Sequence, residues 1–163
     1  MTSSLTVQRL SHIGLCVSNL ERSITFYRDA FGYEVVSTIK IGPEADALLD
    51  LKNTQLDAVY LQRPNEDTRI ELLYYHSPGV EISKEIRAVN LTGLTHLSFR
   101  SSDLKATVEQ VKKCGGKLIE SSLIDNSTYG IMACMVTDPD GLRIELLQAP
   151  GDPHLLPGQS PKK

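Results

Sequence analysis

The sequence predicts an α+β fold made of two tandem βαβββ modules, forming a curved mixed sheet around a metal cleft. Three observations predict it. The pentapeptide Arg-Ile-Glu-Leu-Leu occurs twice, at 69–73 and 143–147. A looser match relates LSHIGLCVSNL at 10–20 to LTHLSFRSSDL at 94–104, placing His12 on His96, Asn19 on Asp103 and Leu20 on Leu104. Two matches in the same order within each half favour a duplication over chance. The third observation is that each half has the same rhythm of strand, helix and three strands.

In the first half, HIGLCV reads as a strand, apolar and β-branched and bounded by polar turn residues. Ser18 or Asn19 then supplies a helix N-cap. A helix over 20–31 puts Leu20, Ile24, Tyr27 and Phe31 on one face, and Gly32 ends it. Strands follow at about 33–40, 55–62 and 68–75, with PEADALLD a short helical or irregular excursion between the first two. In the second half, HLSFR is the strand and Ser102 or Asp103 the cap. The helix over 104–114 carries Leu104, Val108 and Val111, and Gly115-Gly116 closes it. Strands are predicted at 117–120, 131–137 and 142–148, the last two joined by the turn Asp138-Pro139-Asp140-Gly141. The pentapeptides are offset by 143 − 69 = 74 residues and the histidines by 96 − 12 = 84, so the first copy holds the longer insertion. The whole reads as one domain over 1–149, with modules at about 8–75 and 92–149. Residues 76–91 form a linker with a helical turn at 82–89, and a Pro-rich tail at 150–163 is loosely ordered or an arm over a partner.

Composition narrows the function classes. The 163 residues, 40% hydrophobic and 23% charged, suit a globular domain with a sizeable core. A net charge of −3 without a basic block gives no footprint for nucleic acid. No apolar run approaches the roughly 20 residues that span a membrane, and the N-terminus shows no leader pattern. The odd set Cys16, Cys114 and Cys134, without a CxxC spacing, argues against disulfides and a thiolate zinc site. A reducing, cytoplasmic setting is expected.

The duplicated polar residues are His12 and His96 on first strands, and Glu71 and Glu145 on last strands. Each glutamate is embedded in Ile-Glu-Leu-Leu, where a lone carboxylate carries a desolvation penalty unless it is paired or bound to a cation. A histidine at a strand start or a glutamate in a strand is individually unremarkable. Four metal-competent side chains at duplicated positions are not explained that way. Together they form a mixed N/O set for one divalent Zn, Ni, Co, Mn or Fe ion.

Taken together, HIGLCVSNLERSITFYRDAFGYEVV, RIELLYYHSPG, GLTHLSFRSSDL and DPDGLRIELLQ resemble the vicinal oxygen chelate superfamily over about residues 8–149. That superfamily includes glyoxalase I, methylmalonyl-CoA epimerase, extradiol dioxygenases and the fosfomycin and bleomycin resistance proteins. The resemblance implies that His12, Glu71, His96 and Glu145 are the metal ligands. It further implies that Glu145 can leave the metal to act as catalytic base, with Glu71 second in that role. It also implies a homodimer acting on a small-molecule substrate.

Four protein ligands on an octahedral ion leave two adjacent positions, which suit two neighbouring substrate oxygens and an enolate or enediolate. Ring cleavage needs a third open position, so the expected activity is a lyase or isomerase of the glyoxalase or epimerase type. The alternatives are an Fe(II) extradiol-type dioxygenase and a non-catalytic drug-binding or natural-product-binding protein. The short bacterial glyoxalase I pattern places an arginine and an asparagine for glutathione where this chain has Cys16 and Tyr75. The epimerase resemblance calls for a second acid/base on the third strand, and Asp57 is the candidate, weighed against a plain half-exposed polar residue. Arg100, four residues after His96, is expected on the metal side as an anchor for a substrate carboxylate or phosphate. Tyr75 is expected to line the pocket, and 125–130 to form a mobile rim. His76 and His154 have no repeat partners and are read as bystanders.

Overall fold

A computed structural model describes residue 6, residues 9–82 and residues 85–155. The chain divides into two compact units, Met1–Ile82 and Ser83–Lys163, each with its own mixed sheet.

The first unit contains β1 (Ile13–Cys16), α1 (Leu20–Phe31) and β2 (Glu34–Ile41). A 3-10 turn at Pro43–Ala45 then runs into the short α2 (Asp46–Leu49), and β3 (Gln55–Gln62) and β4 (Arg69–Ser77) follow. The strand order is β1-β4-β3-β2, with β1 parallel to β4 and the other pairs antiparallel. The crossover through α1 thus lays the first strand of the module beside its last. Asn19 caps α1 by accepting from the Arg22 amide at 2.9 Å. Gly32, at φ 72, ends it where a Cβ would be strained.

The buried stripe of α1 differs from the expected one. Ser23, Phe26, Tyr27 and Phe31 are buried, whereas Leu20 and Ile24 are only half-buried. Phe26 rotates the stripe, because its ring packs edge-on against Tyr27 at 5.2 Å and against Phe31 at 5.7 Å. One side of the sheet supplies the rest of this core with Leu15, Val17, Val59, Leu61, Ile70 and Leu72, all buried.

The second unit repeats the plan. It contains β5 (Leu97–Arg100), α3 (Leu104–Lys113), β6 (Lys117–Leu118), β7 (Ile124–Asn126), β8 (Ile131–Thr137) and β9 (Arg143–Gln148). The order is β5-β9-β8-β6, and β7 also pairs with β8. Asp103 caps α3 at the Ala106 amide, 3.0 Å away, and Leu104, Val108 and Val111 are its buried residues, as predicted. Asp138 holds the β8–β9 turn by accepting from the amides of Asp140 (2.9 Å) and Leu142 (2.8 Å).

One expectation is corrected and two segments gain detail. The strand expected over 117–120 shrinks to two residues, because a 3-10 turn at Glu120–Ser122 interrupts it. The Ser122 hydroxyl accepts from the Met135 amide at 2.8 Å, filling in for a ladder bond at the break. The expected rim at 125–130 is partly regular, with Ile124–Asn126 paired to β8 and a 3-10 turn at Ser127–Tyr129. Of the segment 82–89, residues 83 and 84 lie outside the described residues, and the rest carry one bend, at Glu85, and the start of a turn at Val89. There Arg87 ties the loop by donating to the backbone oxygens of Thr92 and Leu94. Residues 156–163 of the predicted tail lie outside the described residues. Among the described residues, no helix is long and apolar enough to cross a membrane.

Candidate metal centre

The duplication extends to the register of the strands. On β1 and β4, Ile13 pairs with Ile70 and Gly14 with Glu71; on β5 and β9, Leu97 pairs with Ile144 and Ser98 with Glu145. His12 and His96 each sit one residue before these short strands. Side chains alternate across a strand, so Glu71 lies on the side of its sheet opposite Ile70 and Leu72, away from the aromatic core.

In the first unit, His12 Nε2 stands 3.2 Å from Glu71 Oε2, while its Nδ1 is 3.2 Å from the Ser11 hydroxyl. The Glu71 side chain is only 10% exposed, so its carboxylate depends on close polar partners. Tyr60 stands directly across from it on β3, and hydrogen bonding to the Glu71 carboxylate, followed by burial and that carboxylate's charge, pushes its phenol up to about 12. The Tyr60 ring also meets the His12 ring edge-on at 5.3 Å.

In the second unit, His96 Nε2 is 4.0 Å from Glu145 Oε2, with both side chains about a third exposed (32% and 33%). His96 Nδ1 is 2.9 Å from the Thr95 hydroxyl. Ser98 donates its hydroxyl to Glu145 Oε2 at 2.6 Å.

Each unit therefore brings one imidazole and one carboxylate together. In each, the histidine engages the preceding residue's hydroxyl through Nδ1 and turns Nε2 toward the glutamate. Oriented imidazoles whose other nitrogen is occupied suit a divalent cation, as does the N/O donor set. Within the described residues, no group of three or more His, Cys, Asp or Glu side chains is placed to hold a metal ion. The contribution of each unit by itself is a pair.

Tyr75 lies on the Glu71 side of its sheet and is half-buried. Burial raises its phenol first, and the nearby Cys16 and Glu71 add to this. Arg100 shares the Ser98 side of β5, and its guanidinium donates to the Ala149 carbonyl at 2.8 Å. Asp57 falls elsewhere. It pairs with Tyr74, on the side of the sheet opposite Glu71, so it is no partner for that carboxylate. There it bonds His76 Nε2 at 3.1 Å and Lys40 Nζ at 3.2 Å. These contacts, that from His76 first, hold Asp57 below the usual carboxylate range. His76 thus has a structural partner, and among the described residues His154 donates its backbone amide to the Asp152 carboxylate.

Sequence reasoning missed Ser11, Thr95, Ser98 and Tyr60. A signal existed for the first two, because Ser11 and Thr95 align in the repeat, one residue before each histidine.

Known proteins share this plan. The sequence profile of the Glyoxalase/Bleomycin resistance protein/Dioxygenase superfamily matches residues 9–146. An ethylmalonyl-CoA/methylmalonyl-CoA epimerase from Cereibacter sphaeroides is 24% identical over 144 residues, covering 87% of this chain and 98% of that protein. A lactoylglutathione lyase from Haemophilus influenzae is 26% identical over 140 residues, covering 86% and 92%. The crystal structure of a glyoxalase family protein from Bacillus cereus superposes with a TM-score of 0.79 at 19% identity, covering 93% of this chain and all of the other.

Proposed function

This chain belongs to the Glyoxalase/Bleomycin resistance protein/Dioxygenase superfamily, and from that premise we propose that it is a divalent-metal-dependent lyase or isomerase of the glyoxalase and epimerase type. The reaction is a proton transfer on a small oxygenated substrate. The observation that carries the reading is the duplicated His–Glu pair, set in one strand register in both units. His12 and Glu71 together with His96 and Glu145 would hold one Zn, Ni, Co, Mn or Fe ion, the two modules working as one domain or pairing across a homodimer. When bound, that ion would supply Lewis-acid stabilisation of negative charge on substrate oxygen.

The chain's own residues divide the remaining work. Glu145 is the base that takes a proton from the carbon next to a carbonyl. Its side chain is 33% exposed against 10% for Glu71, so it is the carboxylate a substrate can reach. Ser98 orients Glu145 through its 2.6 Å hydrogen bond. Glu71, enclosed by its neighbours, is the second candidate for the base. Arg100 would bind a substrate carboxylate or phosphate, and Tyr75 would line the pocket beside Cys16. With Cys16 and Tyr75 in place of a glutathione-binding pair, an acyl thioester of the kind the epimerase's name describes is favoured over a glutathione adduct. The odd number of cysteines and the lack of a CxxC spacing support a cytoplasmic setting.

The test is metal analysis of the purified protein together with deuterium wash-in at the α-carbon of methylmalonyl-CoA and of the methylglyoxal–glutathione hemithioacetal. Exchange should occur with one of them and fall at least about 100-fold in Glu145→Gln. Full exchange in that variant would remove Glu145 from the role of base. Oxygen uptake with catechols would replace proton transfer with ring cleavage.

A further inference from the structure

The two glutamates occupy the same position of the same pentapeptide, yet their surroundings are exchanged. Glu71 has Gly14 on one flank and Tyr60 on the other, whereas Glu145 has Ser98 and Met135. The hydroxyl facing the carboxylate therefore comes from β3 in the first unit and from β5 in the second. Gly14 offers no side chain, and a Cβ placed there would lie 3.7 Å from Glu71 Oε2. Tyr60 faces both members of the first pair, standing opposite Glu71 on β3 with its ring edge against His12.

We propose that Tyr60 is a positioning residue that fixes Glu71 and His12 in their ligating orientation, so that Glu71 stays in place while Glu145 is the carboxylate able to move. This rests on the reading of Glu71 as a metal ligand. A rigid aromatic side chain has few torsions to order, and one hydroxyl on the carboxylate removes its freedom to rotate away. Ser98 is smaller and stands beside a carboxylate that is a third exposed, so it orients Glu145 without enclosing it.

The experiment uses the full chain, stripped with a chelator and titrated with Co(II), with affinity read by chelator competition and geometry by the visible absorption bands. Tyr60→Phe keeps the ring against His12 and removes only the hydroxyl. It should weaken Co(II) about tenfold or more, in the range usual for partners of metal ligands, and shift the absorption bands. A merely structural role would lower the melting temperature of the stripped protein and leave the cobalt spectrum and affinity unchanged, which would overturn the proposal. Glu71→Gln separates the two layers of argument. If it weakens Co(II) strongly while Tyr60→Phe stays within twofold of the parent, Glu71 is a ligand and only the role of Tyr60 fails. If Glu71→Gln also binds Co(II) like the parent, the ligand reading fails and the Tyr60 proposal falls with it.

Discussion

At the scale of single residues, the duplication acts as a filter on function, and its blind spots are physical. His12, Glu71, His96 and Glu145 could be picked from the sequence because each recurs at an aligned position. Tyr60 could not, since its counterpart opposite the second glutamate is Met135, and Gly14 stands where the other half has Ser98. Residues that make the halves unequal are invisible to a search for equality. Asp138 belongs to the legible class, as the first residue of an Asp-Pro-Asp-Gly turn. It is 3% exposed, and its Oδ1 accepts from two backbone amides. Asp138→Ala should leave those donors without their acceptor and cost about 1–3 kcal/mol, read as a lower urea midpoint at an unchanged slope. A loss below about 0.5 kcal/mol would mean that water replaces the carboxylate there.

At the scale of elements, helices and long strands were read well because periodicity and caps agree. Asn19 and Asp103 are the N-caps found, each alternative the sequence offered being resolved by a hydrogen bond to the third following amide. What failed depends on neighbours. The α1 stripe turned toward Phe26 because aromatic packing outweighs a regular aliphatic row, and the edge of the second sheet broke into β6 and β7 around the Ser122 side chain. Asp57 takes the half-exposed polar reading weighed against the acid/base one, because its pairing with Tyr74 puts it on the side opposite Glu71. Parity within one strand does not say which face bears the site until the partner register is known. Its actual place ties β2, β3 and β4 together through Lys40 and His76. Because its folded-state pKa is depressed, its stabilisation is present above the unfolded carboxylate value of about 3.9 and is lost as pH falls through the lower folded value. The melting temperature of the parent should exceed that of Asp57→Asn at pH 5–7. The difference should close as pH falls from about 4 toward 2, and a pH-independent difference would show that packing rather than ionisation is lost.

At the scale of the whole molecule, each unit brings one histidine and one glutamate together, and the proposed function would need all four side chains on one ion. A ligand that binds only the folded state stabilises it by about 4 kcal/mol at a thousandfold excess over Kd. For a chain of this size that is on the order of 10 °C in melting temperature, at roughly 2–4 °C per kcal/mol. Stripping the metal should therefore lower the melting temperature, and Co(II) or Zn(II) should restore it. The distribution of donors sharpens this into a test of sharing. If one ion is held by both pairs, His12→Ala and His96→Ala remove equivalent ligands from different units, and each should abolish most of the metal-induced rise. If His96→Ala keeps the full rise while His12→Ala loses it, the ion sits on the more enclosed pair, His12 and Glu71, alone. The second pair would then serve some other purpose, and the reading of Glu145 as a ligand that also acts as base would be wrong. Equal loss in both variants is what the proposal of one ion on all four side chains predicts, the two His–Glu pairs being equivalent in the strand register of their own sheets.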